Sequence, residues 1–237
     1  MDQQAAAPEP SDLADEFVEL NDYLREGGDP QAAMGRLVAL AVDALPGCDS
    51  AAITTWPSGK PPRSLASSDP VAAEADQLQY ELGEGPCLTA TGEDGIFHIP
   101  DVEADDRWPR FAAKVHANTP IGAVLSFPLG DDPHRTALNL YAGKAGAFDN
   151  AAIDVAALFA AHAQVLLLHA ASAEEVVNLK EALSASRQIG AAVGILMAVH
   201  KISEQQAFDL LRVSSQHLNR KLREIAAHVT RTGQLPR

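Results

Sequence analysis

Two cysteines and eight histidines are the residues of this chain with the widest range of chemistry. Cys87 follows Gly85 and Pro86 at the start of a predicted helix, where the helix dipole favours a thiolate. A thiol-dependent reductase is therefore one hypothesis, although Cys48 lies in another predicted element and Cys87 has no second thiol close in sequence to resolve a disulfide. A buried, inert thiol at Cys87 is the alternative, since Cys is among the most buried residue types. The cysteines and histidines lack the spacings of metal and haem motifs, so we expect no metal, haem or other cofactor.

Basic residues concentrate near the C-terminus, where they are available to bind phosphate groups. The chain has a net charge of −14, but residues 180–237 hold nine Lys or Arg against four acids, a formal charge of +5. The remaining residues therefore carry a formal charge of −19. An anionic partner is expected to bind the C-terminal segment.

The N-terminal part of the chain has the pattern of an α+β domain. We interpret residues 1–11 as a disordered lead-in and residues 12–170 as one domain with flanking helices. Apolar periodicity predicts a helix over 13–24 and a second from Pro30 to about residue 45, capped by Asp29.

The middle of this domain alternates short apolar runs with helical segments. Strands are predicted at 51–56, 96–99, 121–129 and 136–141. Helices are predicted near 70–80, 84–91 and 108–117. This order predicts an antiparallel sheet with helices packed on one face, and a hairpin turn at Asp131-Asp132-Pro133.

From Asn150 the chain is predicted to be one long helix, since residues 151–189 contain no proline or glycine. Apolar positions there alternate at spacings of three and four, which is typical of a coiled coil. The predicted seam comprises Leu158, Val165 and Leu168, then, after a stutter, Val176, Leu179, Leu183, Ser186, Gly190, Val193 and Met197. We expect residues 171–190 to form a parallel coiled coil that joins two chains; an amphipathic helix packed on its own domain is the alternative.

Residues 180–237 are predicted to form a three-helix bundle. Ser203 and Gln206 have the spacing of a capping box, Ser214 or Ser215 is expected to cap the last helix, and Gly233 to end it. The predicted inward positions are Ala207, Phe208, Leu210, Leu211, Leu218, Leu222, Ile225 and Val229. Phe208 is the only aromatic residue after Phe159, so its burial predicts that RNA bases do not stack on aromatic rings here.

Three blocks of this C-terminal segment resemble the ANTAR domain of bacterial antitermination regulators. They are 187–197 (RQIGAAVGILM), 206–211 (QAFDLL) and 214–222 (SSQHLNRKL). The resemblance implies a dimeric module that recognises paired stem-loops in leader transcripts and so decides whether transcription terminates. The family often has Gln and Lys where this chain has Ala191 and Val193, so a basic contact is missing there or supplied elsewhere.

Within this segment, basic and amide side chains are the candidate RNA contacts. They are Arg187, Lys201, Arg212, Gln216, Asn219, Arg220 and Arg223. We expect Gln216, Arg220 and Arg223 to share the outer side of the last helix, with arginines on phosphates and amides on base edges. A solvated basic helix surface is the alternative, as is a helix-turn-helix that binds duplex DNA.

The N-terminal domain resembles a GAF domain of the actinobacterial type. The matching segments are 78–87 (LQYELGEGPC), 105–111 (DDRWPRF), 126–129 (SFPL) and 137–141 (ALNLY), within roughly residues 30–170. The resemblance implies a sensory or dimerisation module, and a pocket between sheet and helices would hold an unidentified small-molecule effector. The candidate lining residues are Tyr80, Cys87, Phe97, Trp108, Phe127 and Tyr141, with core packing as the alternative.

The sequence also bears on location. No apolar run reaches the roughly 18 residues of a membrane span, and residues 1–11 lack the features of a secretory signal. We therefore predict a cytoplasmic, homodimeric RNA-binding antitermination regulator without membrane contact and without enzyme activity. A thiol-dependent reductase and a DNA-binding regulator are the alternatives.

Overall fold

The computed structural model describes residues 10–57, 59–90, 95–130 and 136–236. The chain divides into two compact units, Met1–Ala170 and Ala171–Arg237. Pro10 and Ser11, which we assigned to the lead-in, belong to the first helix. The rest of the lead-in up to residue 9 and the predicted Asp131-Asp132-Pro133 turn lie outside the described residues.

The first unit is built from five strands and helices on both sides of them. Its helices are α1 (Pro10–Arg25), α2 (Pro30–Ala44), α3 (Pro70–Leu82), α4 (Pro86–Ala90), α5 (Pro109–Asn118) and the beginning of α6 (Asn150–His200). Its strands are β1 (Ser50–Thr55), β2 (Arg63–Ser67), β3 (Phe97–Ile99), β4 (Ala123–Pro128) and β5 (Thr136–Ala142). The predicted elements are confirmed within a few residues, whereas β2 was not predicted.

The strands form one antiparallel sheet in the order β2-β1-β5-β4-β3. On one face, Leu125 and Leu140 pack with α1, α2 and the first turns of α6. On the other face, their neighbours Val124 and Tyr141 pack with α3 and α5. The prediction that helices cover a single face is wrong, because β4 and β5 have apolar residues at positions of both parities and must bury both faces.

Helix α6 is a continuous helix of 51 residues, which confirms the predicted long helix. Small residues let its first turns pack closely in the core of the first unit, where Ala152, Ala156 and Ala163 are buried beside Phe159. Asp149 precedes the helix and its side chain accepts a hydrogen bond from the Ala152 amide at 2.8 Å.

Among the described helices, α6 is long and apolar enough to cross a membrane by length and composition. An 18-residue window in it has a mean hydropathy of 1.8, although polar residues interrupt its apolar runs. A third of that window is buried inside the protein, and core helices meet the same criterion. These properties therefore do not identify α6 as a membrane span.

The second unit contains the end of α6, α7 (Glu204–His217) and α8 (Leu222–Thr232). Its core comprises Ala192, Val193, Leu196, Ala207, Leu211, Ile225, Ala226 and Val229. The capping box is confirmed: Ser203 Oγ accepts from the Gln206 amide at 3.3 Å, and Gln206 Oε1 accepts from the Ser203 amide at 2.9 Å. The C-cap at Gly233, with φ of 76°, is also confirmed.

Two predictions about α7 and α8 are wrong. The last helix begins at Leu222 after Lys221, because α7 continues through both serines at 214 and 215 and the chain reverses at Asn219, with φ of 49°. Phe208 and Leu210 are 37% and 38% exposed, since the core-facing pair on α7 is Ala207 and Leu211, one turn apart.

Substitution of alanine for two glycines is expected to change the stability of the protein in opposite directions. Gly122→Ala is expected to lower the urea midpoint of unfolding and to cost about 1–3 kcal/mol, because its Cβ would lie 2.6 Å from the Gly143 carbonyl oxygen. Gly35→Ala is the control inside α2, where a Cβ meets no described atom within 4 Å, and it should stabilise by about 0.5–1 kcal/mol. Equal midpoints for the two variants would contradict the packing described.

Candidate functional site

A buried carboxylate organises the polar interior of the first unit. Asp76 lies on the sheet-facing side of α3, with Ala72, Ala75 and Gln79, and is fully buried. Its Oδ2 accepts from Thr54 Oγ1 at 2.7 Å and Ser64 Oγ at 2.9 Å, and its Oδ1 accepts from Tyr141 Oη at 2.6 Å and Asn139 Nδ2 at 3.0 Å. We call these five residues the Asp76 cluster.

The Asp76 cluster joins α3 to β1, β2 and β5 through hydrogen bonds. Burial raises the pKa of Asp76, while the hydrogen bonds from Thr54, Tyr141, Ser64 and Asn139 oppose that rise by stabilising the carboxylate. Burial and the charge of Asp76 hold the pKa of Tyr141 well above its usual value, so Tyr141 remains a donor. A buried carboxyl with four donors is a fixed polar centre in an otherwise apolar interior.

Three of the predicted pocket residues lie around this centre. Tyr141 belongs to the Asp76 cluster. Cys87, on α4, is connected to Tyr141 through Gln79: Gln79 Nε2 donates to Tyr141 Oη at 3.4 Å, and Gln79 Oε1 accepts from the Cys87 amide at 2.8 Å. The Tyr80 hydroxyl is buried without a hydrogen-bond partner in the part of the chain that the structure describes. Burial and the charge of Asp76 raise the pKa of Tyr80.

The three other predicted pocket residues divide between the two faces of the sheet. Phe97 packs against Cys87 and stands edge-to-face with Trp108, with ring centroids 6.0 Å apart. Trp108 Nε1 donates to Thr89 Oγ1 at 3.1 Å. Phe127 instead packs on the opposite face, because side chains alternate along β4.

Of the two interpretations of Cys87, the buried thiol fits the structure and the thiolate does not. Cys87 is fully buried, and burial, followed by the charge of Asp76, raises the pKa of its thiol. Burial also raises the pKa of Cys48 to about 12, and its Sγ donates to the Ser50 carbonyl at 3.4 Å. Both thiols are free, and they belong to different clusters of buried residues, so they are not arranged as a nucleophile with a resolving partner.

Sequence reasoning missed Asp76, the residue on which this interior depends. The available signal was a carboxylate inside the apolar stripe of α3, one residue after Ala75 and four after Ala72. It also missed Glu84, whose Oε1 accepts from the amides of Arg110 and Phe111 and so caps α5 from another element. Among the described residues, no three His, Cys, Asp or Glu side chains are grouped to hold a metal ion.

All seven predicted RNA contacts are exposed on the second unit. Arg187 lies on α6, Lys201 in the α6–α7 turn with φ of 54°, Arg212 and Gln216 on α7, Asn219 and Arg220 in the α7–α8 connection, and Arg223 on α8. The prediction that Gln216, Arg220 and Arg223 share the last helix is wrong, because α8 begins only at Leu222.

Three of these arginines pair with carboxylates of their own unit. Arg212 lies 3.2 Å from Asp209, Arg220 lies 3.3 Å from Glu224, and Arg223 lies 3.9 Å from Glu181 on α6. Both members of each pair are solvent-exposed, so each pair contributes between about 0 and 1 kcal/mol. Phosphate groups would therefore displace these carboxylates at little cost.

The pH dependence of stability tests the burial of Asp76. Because its pKa is raised in the folded protein, the folded state holds this proton more tightly than the unfolded chain does. Its contribution to stability must therefore fall as pH rises from 3.8, the ordinary value, through the raised value. The unfolding free energy of the wild type minus that of Asp76→Asn should decrease over this range, by up to about 1.4 kcal/mol per pH unit.

Urea unfolding between about pH 4 and pH 8 measures this difference, and Glu74→Gln, at an exposed position of the same helix, is the matched control. A difference that stays constant with pH for Asp76→Asn would contradict the raised pKa.

Solved structures share the fold of the first unit. The free methionine-R-sulfoxide reductase from Neisseria meningitidis, in complex with its substrate, matches 71% of this chain and 96% of its own, with a TM-score of 0.53 and 14% identity. The GAF domain of an Acinetobacter phosphoenolpyruvate-protein phosphotransferase matches 68% and 96%, with a TM-score of 0.51 and 14% identity. The phycoerythrobilin-bound GAF domain of a cyanobacterial phytochrome matches 68% and 97%, with a TM-score of 0.53 and 10% identity.

At these identities the likeness establishes the fold alone. No curated protein matches the sequence. The family model of the GAF domain matches residues 28–167, more than half of the chain, and the family model of the ANTAR domain matches residues 177–229. The chain therefore belongs to the GAF domain family, and it combines a GAF domain with a C-terminal ANTAR domain in the architecture of a sensory RNA-binding antitermination regulator.

Proposed function

We propose that this chain is a cytoplasmic antitermination regulator that binds paired stem-loops in leader transcripts as a homodimer. The observation that carries the proposal is the ANTAR match over residues 177–229, in a segment whose seven candidate contact residues are all exposed. Residues 180–237, with a formal charge of +5 in an acidic chain, are the RNA-binding domain.

The contacts divide by chemistry. Arg220 and Arg223 bind phosphate oxygens and exchange their carboxylate partners for them, which makes affinity fall with salt. Gln216 and Asn219 offer amide groups to base edges of unpaired loop nucleotides. Position 193 is a valine that packs in the bundle core and not in the predicted seam, so we assign the basic contacts to the exposed arginines and Lys201.

The dimer interface is the exposed seam of α6. Leu158, Val165, Leu168, Leu179 and Leu183 are all about half exposed or more, although each is a large apolar side chain on a helix. Their spacing supports a parallel coiled coil over residues 171–190, which presents two ANTAR domains to two hairpins.

The GAF domain, within residues 12–170, is the input. The unidentified small-molecule effector would bind between the sheet and helices α3, α4 and α5, near Tyr80, Cys87 and Trp108. An effector that prefers one arrangement of the seam shifts the dimer between two states. The buried, neutral thiols of Cys48 and Cys87 weigh against a thiol-dependent reductase.

Removing two arginines tests the RNA surface. Arg220→Ala with Arg223→Ala should weaken binding to a two-hairpin RNA and reduce the slope of log affinity against log salt by about 1.5, because two phosphate contacts are lost. Lys60→Ala with Arg63→Ala, two exposed residues of the GAF domain, removes the same charge and should change neither quantity. Gel shifts over a salt series measure both.

Unchanged binding and salt slope in the Arg220, Arg223 variant would show that the assigned surface is wrong. Stronger binding to duplex DNA than to hairpin RNA would favour a DNA-binding regulator instead.

A charge in the seam tests the dimer. Leu179→Asp should shift sedimentation from the mass of two chains to the mass of one, because it places a carboxylate at an apolar seam position. Val177→Asp is the matched control, since Val177 is equally exposed on the same helix but lies outside the seam. Dissociation by both variants, or by neither, would contradict the assigned seam.

A further inference from the structure

Helices α6 and α7 border an open groove in the ANTAR unit. The groove has a volume of about 730 Å³, and its lining includes Gly194 of α6 with Ser203, Glu204 and Phe208 from the start of α7. Four predicted seam residues of α6 border it as well: Ser186, Gly190, Val193 and Met197. Pockets that bind small molecules and cofactors have volumes of roughly 300–1,000 Å³. The groove is therefore large enough for a nucleotide.

Phe208 is the aromatic wall of this groove. It is the only aromatic residue after Phe159, and it is 37% exposed, while Ala207 and Leu211 supply the core-facing positions of α7. The bundle core therefore does not require an aromatic ring at this position. An exposed aromatic face in a cationic domain is a stacking surface for a nucleobase.

Gly194, which lines the groove and lies outside the predicted seam, has no role in the internal packing that the structure describes. A Cβ at Gly194 would meet no described atom within 4 Å, and its φ is not positive. A glycine inside a helix costs about 1 kcal/mol relative to alanine. The effect of Gly194 is to leave helix backbone uncovered along the groove, which lets a flat ligand approach closely.

The surroundings of the groove favour a nucleotide over an apolar peptide. Glu204 and Gln205 line it with a carboxylate and an amide, which match the amino and carbonyl groups of a base edge. Arg187 follows the groove-lining Ser186, and Lys201 precedes the groove-lining Ser203 by two residues. Both cations are exposed and available to flanking phosphates.

We propose that this groove binds one unstacked nucleobase of an RNA loop, stacked on Phe208. The inference rests on the proposed RNA-binding function and adds a base-recognition site to it. It makes Phe208, Gly194, Glu204 and Gln205 the residues that determine which loop base is accepted, while the arginines bind the backbone.

The test begins with a two-hairpin RNA selected by the intact chain from a library with randomised loops. Phe208→Ala should weaken binding to it by about 5- to 150-fold, the range expected for loss of one stacked base. Phe208→Trp should retain binding. Val213→Ala, an exposed apolar residue of α7 that does not line the groove, is the matched control and should bind normally.

Two further measurements locate the base. An RNA with an abasic site at the recognised loop position should bind the wild type as weakly as the intact RNA binds Phe208→Ala, and the two changes together should cost no more than either one. Gly194→Leu fills the groove from the opposite wall, at a position where a Cβ meets open space, and should reproduce the loss without lowering the melting temperature.

The outcomes separate the inference from the proposed function. If selection recovers no hairpin RNA, the proposed function fails. If the wild type binds RNA but Phe208→Ala and Gly194→Leu bind as tightly, the base site alone is overturned. Conversion of either variant to a monomer in sedimentation would also overturn it, because the groove would then be a protein interface.

Discussion

The structure depends on burial of the apolar side chains of helix α6, because this helix contributes to the core of both units. Its first turns lie in the core of the GAF unit through Phe159 and Leu166, and its last turns lie in the core of the ANTAR unit through Leu196. Between these segments, residues 171–184 are all solvent-exposed in the structure, and they include Leu179 and Leu183. Exposed leucines at seam spacing are the feature of this segment that the proposed coiled coil with a second copy would bury.

Within the GAF unit, burial of both faces of β1, β4 and β5 creates the second constraint. Strands covered on both faces have no solvent-facing side, so each polar group on them must find a partner inside. Asp76 meets this requirement for hydroxyl and amide donors from three strands. Burial and the charge of the same centre also raise the pKa values of Tyr80 and Cys87.

Local chemistry made part of this structure predictable. Asp29 before Pro30, the capping box at Ser203 and the glycine at 233 act through their nearest neighbours, so the sequence determines those helix ends directly. The edge strand β2 has one large apolar residue, Leu65, and depends on pairing with β1, which a local pattern does not reveal. The exposure of Phe208 depends on which of two adjacent apolar faces of α7 meets α6 and α8, which is a tertiary choice, and the partners of Asp76 come from strands distant in sequence.

The central claim is that two ANTAR domains act together on paired RNA hairpins, and the composition of the complex tests it most directly. Native mass spectrometry of the full chain with a selected two-hairpin RNA should give two chains per RNA, with much weaker binding to either hairpin alone. One chain per RNA, with equal affinity for the single hairpins, would contradict the account.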